Sequence, residues 1–207
     1  TRAASRGAGT ELAEAERARS AKDLDGASAA LARAQAELVR IAPGEDSALM
    51  EDAWQRVGLV AYKVGLLPAA SAAWRRVHDY RMRCLPETHA DVYEIRNNLA
   101  VALRGCGELP EARELATRAL ETGARAPSAS DPDLLNARNT LGSVLFAMGE
   151  HQAARELMED VLAIASRDQG DEHPMVQAAC SNLAVLAEEL GDLDRALELK
   201  ERVLEVR

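Results

Sequence analysis

Glycine recurs along this chain at a strict interval of 42 residues. Four glycines keep the interval, with no residue gained or lost between them: Gly65, Gly107, Gly149 and Gly191. Apolar residues keep the same interval eight residues before each glycine, and five, eight and twelve residues after it. Self-similarity at a fixed period of this length is typical of repeat arrays, in which each unit packs on its neighbours. The sequence therefore predicts a solenoid, and for such a fold a role in binding.

Each 42-residue unit contains two stretches with the periodicity of an amphipathic helix. In the third unit, apolar residues recur every three or four positions over 91–106 and again over 109–120, which places them on one helix face. Gly107 stands between the two stretches and can take the positive φ that ends a helix, while Pro110 suits the first turn of the next. We call the first helix of a unit helix A and the second helix B. The chain is therefore predicted to be all-α.

The sequence divides into about five units, and the two ends of the array differ. The approximate unit ranges are 10–46, 47–88, 89–130, 131–172 and 173–207. In the first unit Lys22 stands near the glycine position, one residue out of register, and the preceding residues 1–9 are expected to be disordered. The last helix has more apolar residues, including Leu197 and Leu204, than a terminal surface should carry. We expect a further repeat after it in a longer parent protein, or self-association through this helix.

Charge and cysteine usage narrow the classes of partner. The formal net charge is −9, so the average surface repels nucleic acid and anionic membranes. No apolar run approaches the ~20 residues that span a bilayer, and the first residues lack the pattern of a signal peptide. The three cysteines, Cys84, Cys106 and Cys180, lack the close spacing of a zinc or redox site, which indicates a reducing compartment. We expect a cytoplasmic protein that binds neither nucleic acid nor membranes.

No group of residues in the sequence forms a catalytic pattern. A glycine-rich phosphate loop, a nucleophile with a histidine and an acid, and closely spaced metal ligands are all missing from the sequence. His89 and His173 stand two units apart at predicted helix starts, where a capping role is favoured over metal binding. Glu188 and Glu189 are adjacent and therefore point to different sides of a helix. We expect no enzymatic activity, no cofactor and no metal.

The repeat resembles the tetratricopeptide repeat, whose pattern has an early Trp, then Leu-Gly and Tyr, and later Ala and an aromatic residue. The second unit shows this pattern at the following residues: Trp54, Val57, Gly58, Tyr62, Ala70, Trp74 and Val77. A 42-residue period exceeds the usual ~34 of this family and lies near the ~40 to 47 of HEAT and armadillo repeats. The positions at which residue types recur within the unit nevertheless favour the tetratricopeptide repeat over the HEAT and armadillo families. The segments 96–100, 138–142 and 181–184 are similar to the 42-residue form of kinesin light chains and many bacterial proteins. The resemblance covers residues 10–207 and implies a right-handed α-solenoid, and we expect a bacterial source.

The resemblance also implies a concave face lined by the A helices, on which a peptide or partner protein binds. The positions carried over are those just before and after the apolar leucine of helix A. They are Gln55, Arg56, Leu59, Tyr62 and Lys63 in the second unit, Asn97, Asn98, Val101 and Arg104 in the third, Asn139, Thr140, Ser143 and Phe146 in the fourth, and Ser181, Asn182, Val185, Glu188 and Glu189 in the fifth.

Two properties of these positions suggest what they bind, and each has a simpler alternative. Side-chain amides recur in three units and could pair with an extended peptide backbone, since an amide both donates and accepts hydrogen bonds; alternatively, they bridge neighbouring helices. Cations in the second and third units favour an acidic peptide there; alternatively, they are scattered surface charges. The cations are Arg56, Lys63, Arg96 and Arg104.

Two functions of different classes remain open from the sequence. The first is a non-catalytic docking module that binds a peptide or a protein. The second is a sensor or autoinhibitory arm of a larger signalling or defence enzyme, such as a kinase, a STAND ATPase or a caspase-like protease. This second possibility depends on the family resemblance alone.

Overall fold

The computed structural model describes residues 2–41, 48–125 and 131–205. All regular secondary structure within these ranges is helical, which confirms the all-α prediction. The helices are α1 Arg2–Ser20, α2 Leu24–Ile41, α3 Ala48–Lys63, α4 Leu67–Cys84, α5 Ala90–Cys106, α6 Leu109–Arg125, α7 Asp131–Ala147, α8 His151–Gln169, α9 Pro174–Glu189 and α10 Leu193–Glu205. The A helices thus have odd numbers and the B helices have even numbers.

The structure places residues 2–9, for which the sequence predicted disorder, in the first two turns of α1. This segment is rich in alanine, the residue with the highest helix propensity. Its Ala8 is buried and extends the apolar stripe of Leu12 and Ala15, which are also buried. Helix propensity and burial therefore carry the helix nearly to the start of the chain, and Thr1 lies outside the described residues.

The turn between helix A and helix B has the same geometry throughout. The four glycines of the 42-residue ladder have φ between 78° and 82°, as predicted. After Gly107, the amide of Glu108 donates to the carbonyl of Leu103 at 2.9 Å, a bond that ends a helix at a left-handed residue. In the first unit Lys22 takes this role with φ of 62°, and the amide of Asp23 donates to the carbonyl of Ala18 at 2.9 Å. The first turn is therefore built like the others but carries the strain of a side chain at positive φ.

Histidines begin two of the A helices, as the sequence predicted. The amide of Asp91 donates to Nδ1 of His89 at 3.2 Å, and the amide of Met175 donates to Nδ1 of His173 at 3.2 Å. Each imidazole thereby satisfies a backbone donor that the first helical turn leaves without a partner.

The helices form two compact units. The first comprises residues 1–87 with 105–107, and the second comprises residues 88–104 with 108–207. In the first compact unit α1 packs on α2 and α3, and α3 packs on α4. Trp54 and Trp74 are buried in this unit, and a Cβ atom on Gly58 would collide with the indole of Trp74. The glycine therefore makes room for the tryptophan.

In the second compact unit, α6 to α10 pack in chain order, each on the next. A continuous apolar core joins α7, α8, α9 and α10, and its buried members include Leu145, Met158, Leu183 and Leu199. The helices of this unit therefore bury one apolar stripe per helix against their neighbours, which is the packing expected of a repeat array.

Candidate functional site

The predicted binding positions all lie on the A helices α3, α5, α7 and α9. Their side chains differ in whether they are exposed or already used in packing and hydrogen bonding. The position in the repeat therefore does not by itself decide which of them can contact a partner.

Helix α3 exposes a mixed basic and apolar stripe. Arg56, Leu59, Tyr62 and Lys63 are all exposed, and the spacing of three, three and one residues keeps them on one side of the helix. The Tyr62 ring lies 5.7 Å from the buried Trp74 ring, measured between centroids, which fixes one side of the phenol while 43% of the residue stays exposed. We call these four residues the α3 stripe.

Gln55 on the same helix differs from the α3 stripe. Its side chain is partly buried, and Oε1 is buried with no hydrogen-bond partner among the described residues. A buried amide oxygen without a partner costs free energy.

Helix α5 carries a similar amide and a buried cation. Oδ1 of Asn97 is buried without a hydrogen-bond partner among the described residues, Asn98 is partly exposed, and Arg104 is exposed. Arg96 is 1% exposed, and its Nη1 donates to Oγ1 of Thr122 on α6 at 3.2 Å. Arg96 therefore adds nothing to a basic surface, contrary to the sequence prediction.

The burial of Arg96 had a signal in the sequence. The residues 42 positions before it and 84 positions after it are Trp54 and Cys180, and both are buried. The remaining member of this slot, Arg138, is only partly exposed. The 42-residue register therefore indicates that side chains in this slot tend to be buried, and charge alone was a misleading guide.

Helices α7 and α9 use their asparagines to join each other. Nδ2 of Asn182 donates to Oδ1 of Asn139 at 3.1 Å, so for this pair the bridging interpretation describes the geometry. Thr140, the register equivalent of Asn182 on α7, is buried. This bond stabilises the contact between two A helices, and the two groups that form it are not available to a peptide unless the pair opens.

Three further predicted positions on α7 and α9 are engaged within the chain. Oγ of Ser143 donates to the carbonyl of Asn139 at 2.9 Å, and Oγ of Ser181 donates to the carbonyl of Gln177 at 2.8 Å. Phe146 packs against the core of α7 to α10 and meets the His151 ring edge-on at 5.6 Å. Of these, Ser181 remains exposed.

The exposed end of α9 carries charge. Glu188 and Glu189 are exposed, as is Val185, and Glu188 forms an ion pair with Lys200 of α10. The sequence prediction did not include Lys200, because it considered the A helices only and Lys200 lies on the B helix α10.

The buried Cys180 on α9 is not suited to chemistry. Burial disfavours the thiolate and raises the pKa of this thiol. A thiol that stays protonated is a poor nucleophile, so a structural role fits this cysteine.

The described residues offer little for metal binding or for membrane insertion. They contain no group of three or more His, Cys, Asp or Glu side chains that could hold a metal ion. None of the helices in the described ranges combines the length and the apolar character that crossing a bilayer requires. The arrangement consists of helix surfaces with local charge and exposed apolar groups, which are suited to contacts with another polypeptide.

The sequence profile of the tetratricopeptide repeat family matches residues 91–167 and 133–207. Together these matches cover more than half of the chain. The chain belongs to the tetratricopeptide repeat family. No curated protein matches it in sequence.

Solved structures similar to this tetratricopeptide repeat chain include proteins related to kinesin light chains. The kinesin light chain TPR-like repeats of Podosopora anserina share 23% identity and a TM-score of 0.70, with 98% of this chain and 95% of that chain covered. BtubC (BKLC) of P. vanneervenii shares 17% identity and a TM-score of 0.66, with 99% and 91% covered. The predicted kinesin-light-chain-like form of the repeat is therefore confirmed.

A third similar structure is a Rap protein in complex with competence and sporulation factor. It shares 15% identity and a TM-score of 0.70, with 93% of this chain and 51% of the Rap chain covered. At these identities the likeness to all three structures shows the fold. Tetratricopeptide repeats generally serve as scaffolds for protein interactions, and this chain has the helical repeat fold that is typical of such modules.

Proposed function

We propose that this chain is a non-catalytic docking module that binds a peptide segment of a partner protein on the exposed surface of its A helices, centred on the α3 stripe. The observation that carries the proposal is the composition of this stripe. Two cations, one aliphatic side chain and one aromatic side chain are exposed together on one side of α3. Exposed aromatic and basic side chains in one patch are typical of residues that dominate binding energy.

The charges of the stripe favour an acidic partner segment. No acidic side chain among the described residues forms an ion pair with Arg56 or Lys63, whereas Arg118 on the B helix α6 pairs with Glu114 at 3.0 Å. In a chain of net charge −9, two such cations form a local exception that attracts carboxylates. Leu59 and Tyr62 add apolar contact, so the expected ligand is an acidic segment that also carries an apolar or aromatic side chain.

The amides on α3 and α5 support a contact with polypeptide backbone, each within its own compact unit. Gln55 and Asn97 occupy the same register position, 42 residues apart, and each has a buried amide oxygen without a hydrogen-bond partner among the described residues. The equivalent oxygen of Asn139 accepts from Asn182. A small side-chain rotation would let the unpaired oxygens accept from a backbone amide of a bound segment.

The similar Rap structure supports a ligand-binding role by analogy, because that protein is complexed with competence and sporulation factor. A sensor or autoinhibitory arm of a larger enzyme would also act by binding a polypeptide. The docking role is therefore common to both functions that the sequence left open.

The proposal can be tested without knowing the natural partner. Random twelve-residue peptides displayed on phage are selected on the wild-type chain, and a selected peptide is labelled and titrated in fluorescence anisotropy. We expect the selected peptides to be acidic, and the double variant Arg56→Glu, Lys63→Glu to weaken binding about tenfold or more.

A control variant has the same change in charge at the same spacing on a B helix. Arg118 and Arg125 of α6 are exposed and seven residues apart, as Arg56 and Lys63 are. The double variant Arg118→Glu, Arg125→Glu should change the affinity by less than about threefold, because neither residue belongs to the proposed binding surface. Equal losses in the two double variants, or selected peptides without acidic residues, would contradict the proposal.

A further inference from the structure

The first turn between helix A and helix B has a strained lysine where the later turns have glycine. Lys22 has φ of 62°, and the four glycines of the 42-residue ladder have φ between 78° and 82°. A left-handed backbone costs free energy in any residue that has a Cβ atom, and such strain clusters at functional sites. The side chain of Lys22 is exposed, so burial does not offset this cost.

Arg19 lies in the same turn, at a position equivalent to a member of the α3 stripe. The amide of Lys22 donates to the carbonyl of Arg19 at 2.9 Å, just as the amide of Gly65 donates to the carbonyl of Tyr62 at 3.0 Å. Arg19 therefore occupies on α1 the position that Tyr62 occupies on α3. We call Arg19 and Lys22 the α1 turn cations.

The α3 stripe is continuous with the surface of α1. Both helices belong to the first compact unit, in which α1 packs on α3. A Cβ atom on Gly9 of α1 would lie 4.0 Å from Nη1 of Arg56, so this guanidinium of the stripe already reaches α1. A segment that binds along the α3 stripe therefore has the surface of α1 beside it.

The α1 turn cations are available to a ligand. Both are exposed, and neither forms an ion pair with an acidic side chain of the described residues. Asp23, which follows them, is directed to α2, because its Oδ1 accepts from the amide of Gly26 at 2.8 Å. In the same compact unit, Arg33 of α2 pairs with Glu11 at 2.7 Å. The α1 turn cations thus differ from a cation that the fold itself neutralises.

We propose that the acidic segment bound on the α3 stripe continues onto the α1 turn cations, where a further carboxylate of the segment pairs with Lys22 and Arg19. This inference rests on the proposed docking function and extends its site to a helix for which the family pattern named no binding position. Charge complementarity argues for the occupant, because these cations lie beside the two of the α3 stripe in a chain of net charge −9.

One acidic side chain restricts where the further carboxylate binds. Glu16 is exposed on α1 and is the equivalent of Leu59 on α3, 43 positions later, as Tyr62 is of Arg19. Its carboxylate repels an acidic group at the middle of α1. The segment therefore places its carboxylate at the turn and a neutral residue beside Glu16.

The variant Lys22→Gly separates binding from stability. Glycine removes the backbone strain, so thermal unfolding should show no loss of stability. The labelled twelve-residue peptide selected on the wild-type chain should nevertheless bind about three- to fivefold more weakly in fluorescence anisotropy, as expected for one exposed charge pair. The double variant Arg19→Gln, Lys22→Gly should weaken binding about tenfold. A lysine with a purely structural role would not weaken binding in a chain of equal or higher stability.

Arg17 provides a matched control on the same helix. It is exposed, and it forms no ion pair among the described residues. Two residues apart on a helix, Arg17 and Arg19 point to nearly opposite sides. The equivalent of Arg17 on α3 is Val60, which is 4% exposed, so this position does not belong to the stripe. Arg17→Gln should change the affinity by less than about twofold.

A second series of titrations identifies the contact itself. Each acidic residue of the peptide is replaced in turn by its amide, and every peptide is titrated against the wild-type chain and the Lys22→Gly variant. One replacement should weaken binding to the wild-type chain and have little effect in the variant, because the two changes remove the same interaction. Purely additive effects for every acidic residue would contradict the contact.

The outcomes distinguish this inference from the proposed function. If Arg56→Glu, Lys63→Glu weakens binding while Arg19→Gln, Lys22→Gly does not, the ligand stays on the α3 stripe and the inference is wrong. If neither double variant weakens binding, the docking proposal fails as well. Equal losses in Arg17→Gln and Lys22→Gly would also overturn the inference, because they would show a general effect of charge.

Discussion

Helix pairs α3–α4 and α7–α8 are two copies of one repeat, and they fill the same register slots differently. The helix A slot that faces helix B is glycine in both, Gly58 and Gly142. Opposite it stands Trp74 in α4 and Met158 in α8, both buried. A Cβ atom on Gly58 would collide with a rigid indole, whereas on Gly142 it would lie 3.0 Å from Cγ of a flexible methionine. The packing at Gly58 is therefore rigid, whereas the packing at Gly142 can adapt to a larger side chain.

The predicted binding positions of the same two pairs differ more strongly. Arg56 and Leu59 of α3 are exposed. Their equivalents on α7 are Thr140, which is buried, and Ser143, which is partly buried and donates its hydroxyl to a carbonyl of its own helix. Tyr62 is exposed on α3, and its equivalent Phe146 packs against the core. One family position can therefore be open to a partner in one repeat and used for packing in another. This difference is why we propose binding for α3 and a structural role for α7.

The largest expected difference between the pairs concerns the two glycines. Gly58→Ala should lower the free energy of unfolding by about 2–3 kcal/mol, because the indole of Trp74 cannot move aside without strain. Gly142→Ala should change it by less than about 1 kcal/mol, since methionine adapts and alanine favours the helix. Urea unfolding followed by circular dichroism measures both, and tryptophan fluorescence reports on the first compact unit, which contains Trp54 and Trp74. Equal losses would remove the distinction between the two slots.

The turns should behave alike in both pairs, which makes them a reference for the comparison. Gly65 and Gly149 have φ of 82° and 80°, and a Cβ atom would have nothing within 4 Å at Gly65 and only a contact at 4.0 Å at Gly149. Gly65→Ala and Gly149→Ala should each cost about 1–2 kcal/mol through the left-handed backbone alone. Lys22→Gly should raise the stability by up to about 1 kcal/mol for the same reason. Thermal unfolding of the three variants checks this, and a loss at Lys22→Gly would contradict it.

A smaller difference in stability should separate an asparagine that bridges two helices from an asparagine whose amide oxygen has no hydrogen-bond partner among the described residues. Asn182→Ala leaves the Asn139 oxygen without its donor, so we expect it to be about 1 kcal/mol less stable than Asn97→Ala. The oxygen of Asn97 has no hydrogen-bond partner among the described residues to lose. Urea unfolding of the two single variants gives this difference directly, and equal stability would show that the bridge between α7 and α9 contributes nothing.

The fold could be predicted from the sequence because its signal is repeated. The glycine ladder determined both the helix order and the turn geometry, since only a few residues tolerate positive φ. The beginning of α1 could not be predicted in the same way, because the degenerate first unit offers no register and Ala8 is held by packing that only the structure reveals.

The candidate site could be predicted only to the level of position. The family pattern located the slots on the A helices, but it did not tell Arg56, which is exposed, from Arg96, which is buried and bonded to Thr122. Nor did it reveal that Asn139 and Asn182 pair with each other. Exposure at a given slot depends on which side chains surround it in three dimensions, and these vary from repeat to repeat.

Photo-crosslinking at one A helix and one B helix residue tests the proposed binding surface most directly. Tyr62 on α3 is 43% exposed and Met82 on α4 is 39% exposed, so each is replaced in turn by p-benzoylphenylalanine at nearly equal exposure. The acidic peptide selected on the wild-type chain is then added and irradiated. Crosslinking at position 62 with little at position 82 is the predicted result. Equal or stronger crosslinking at position 82 would contradict the assignment of binding to the A helices.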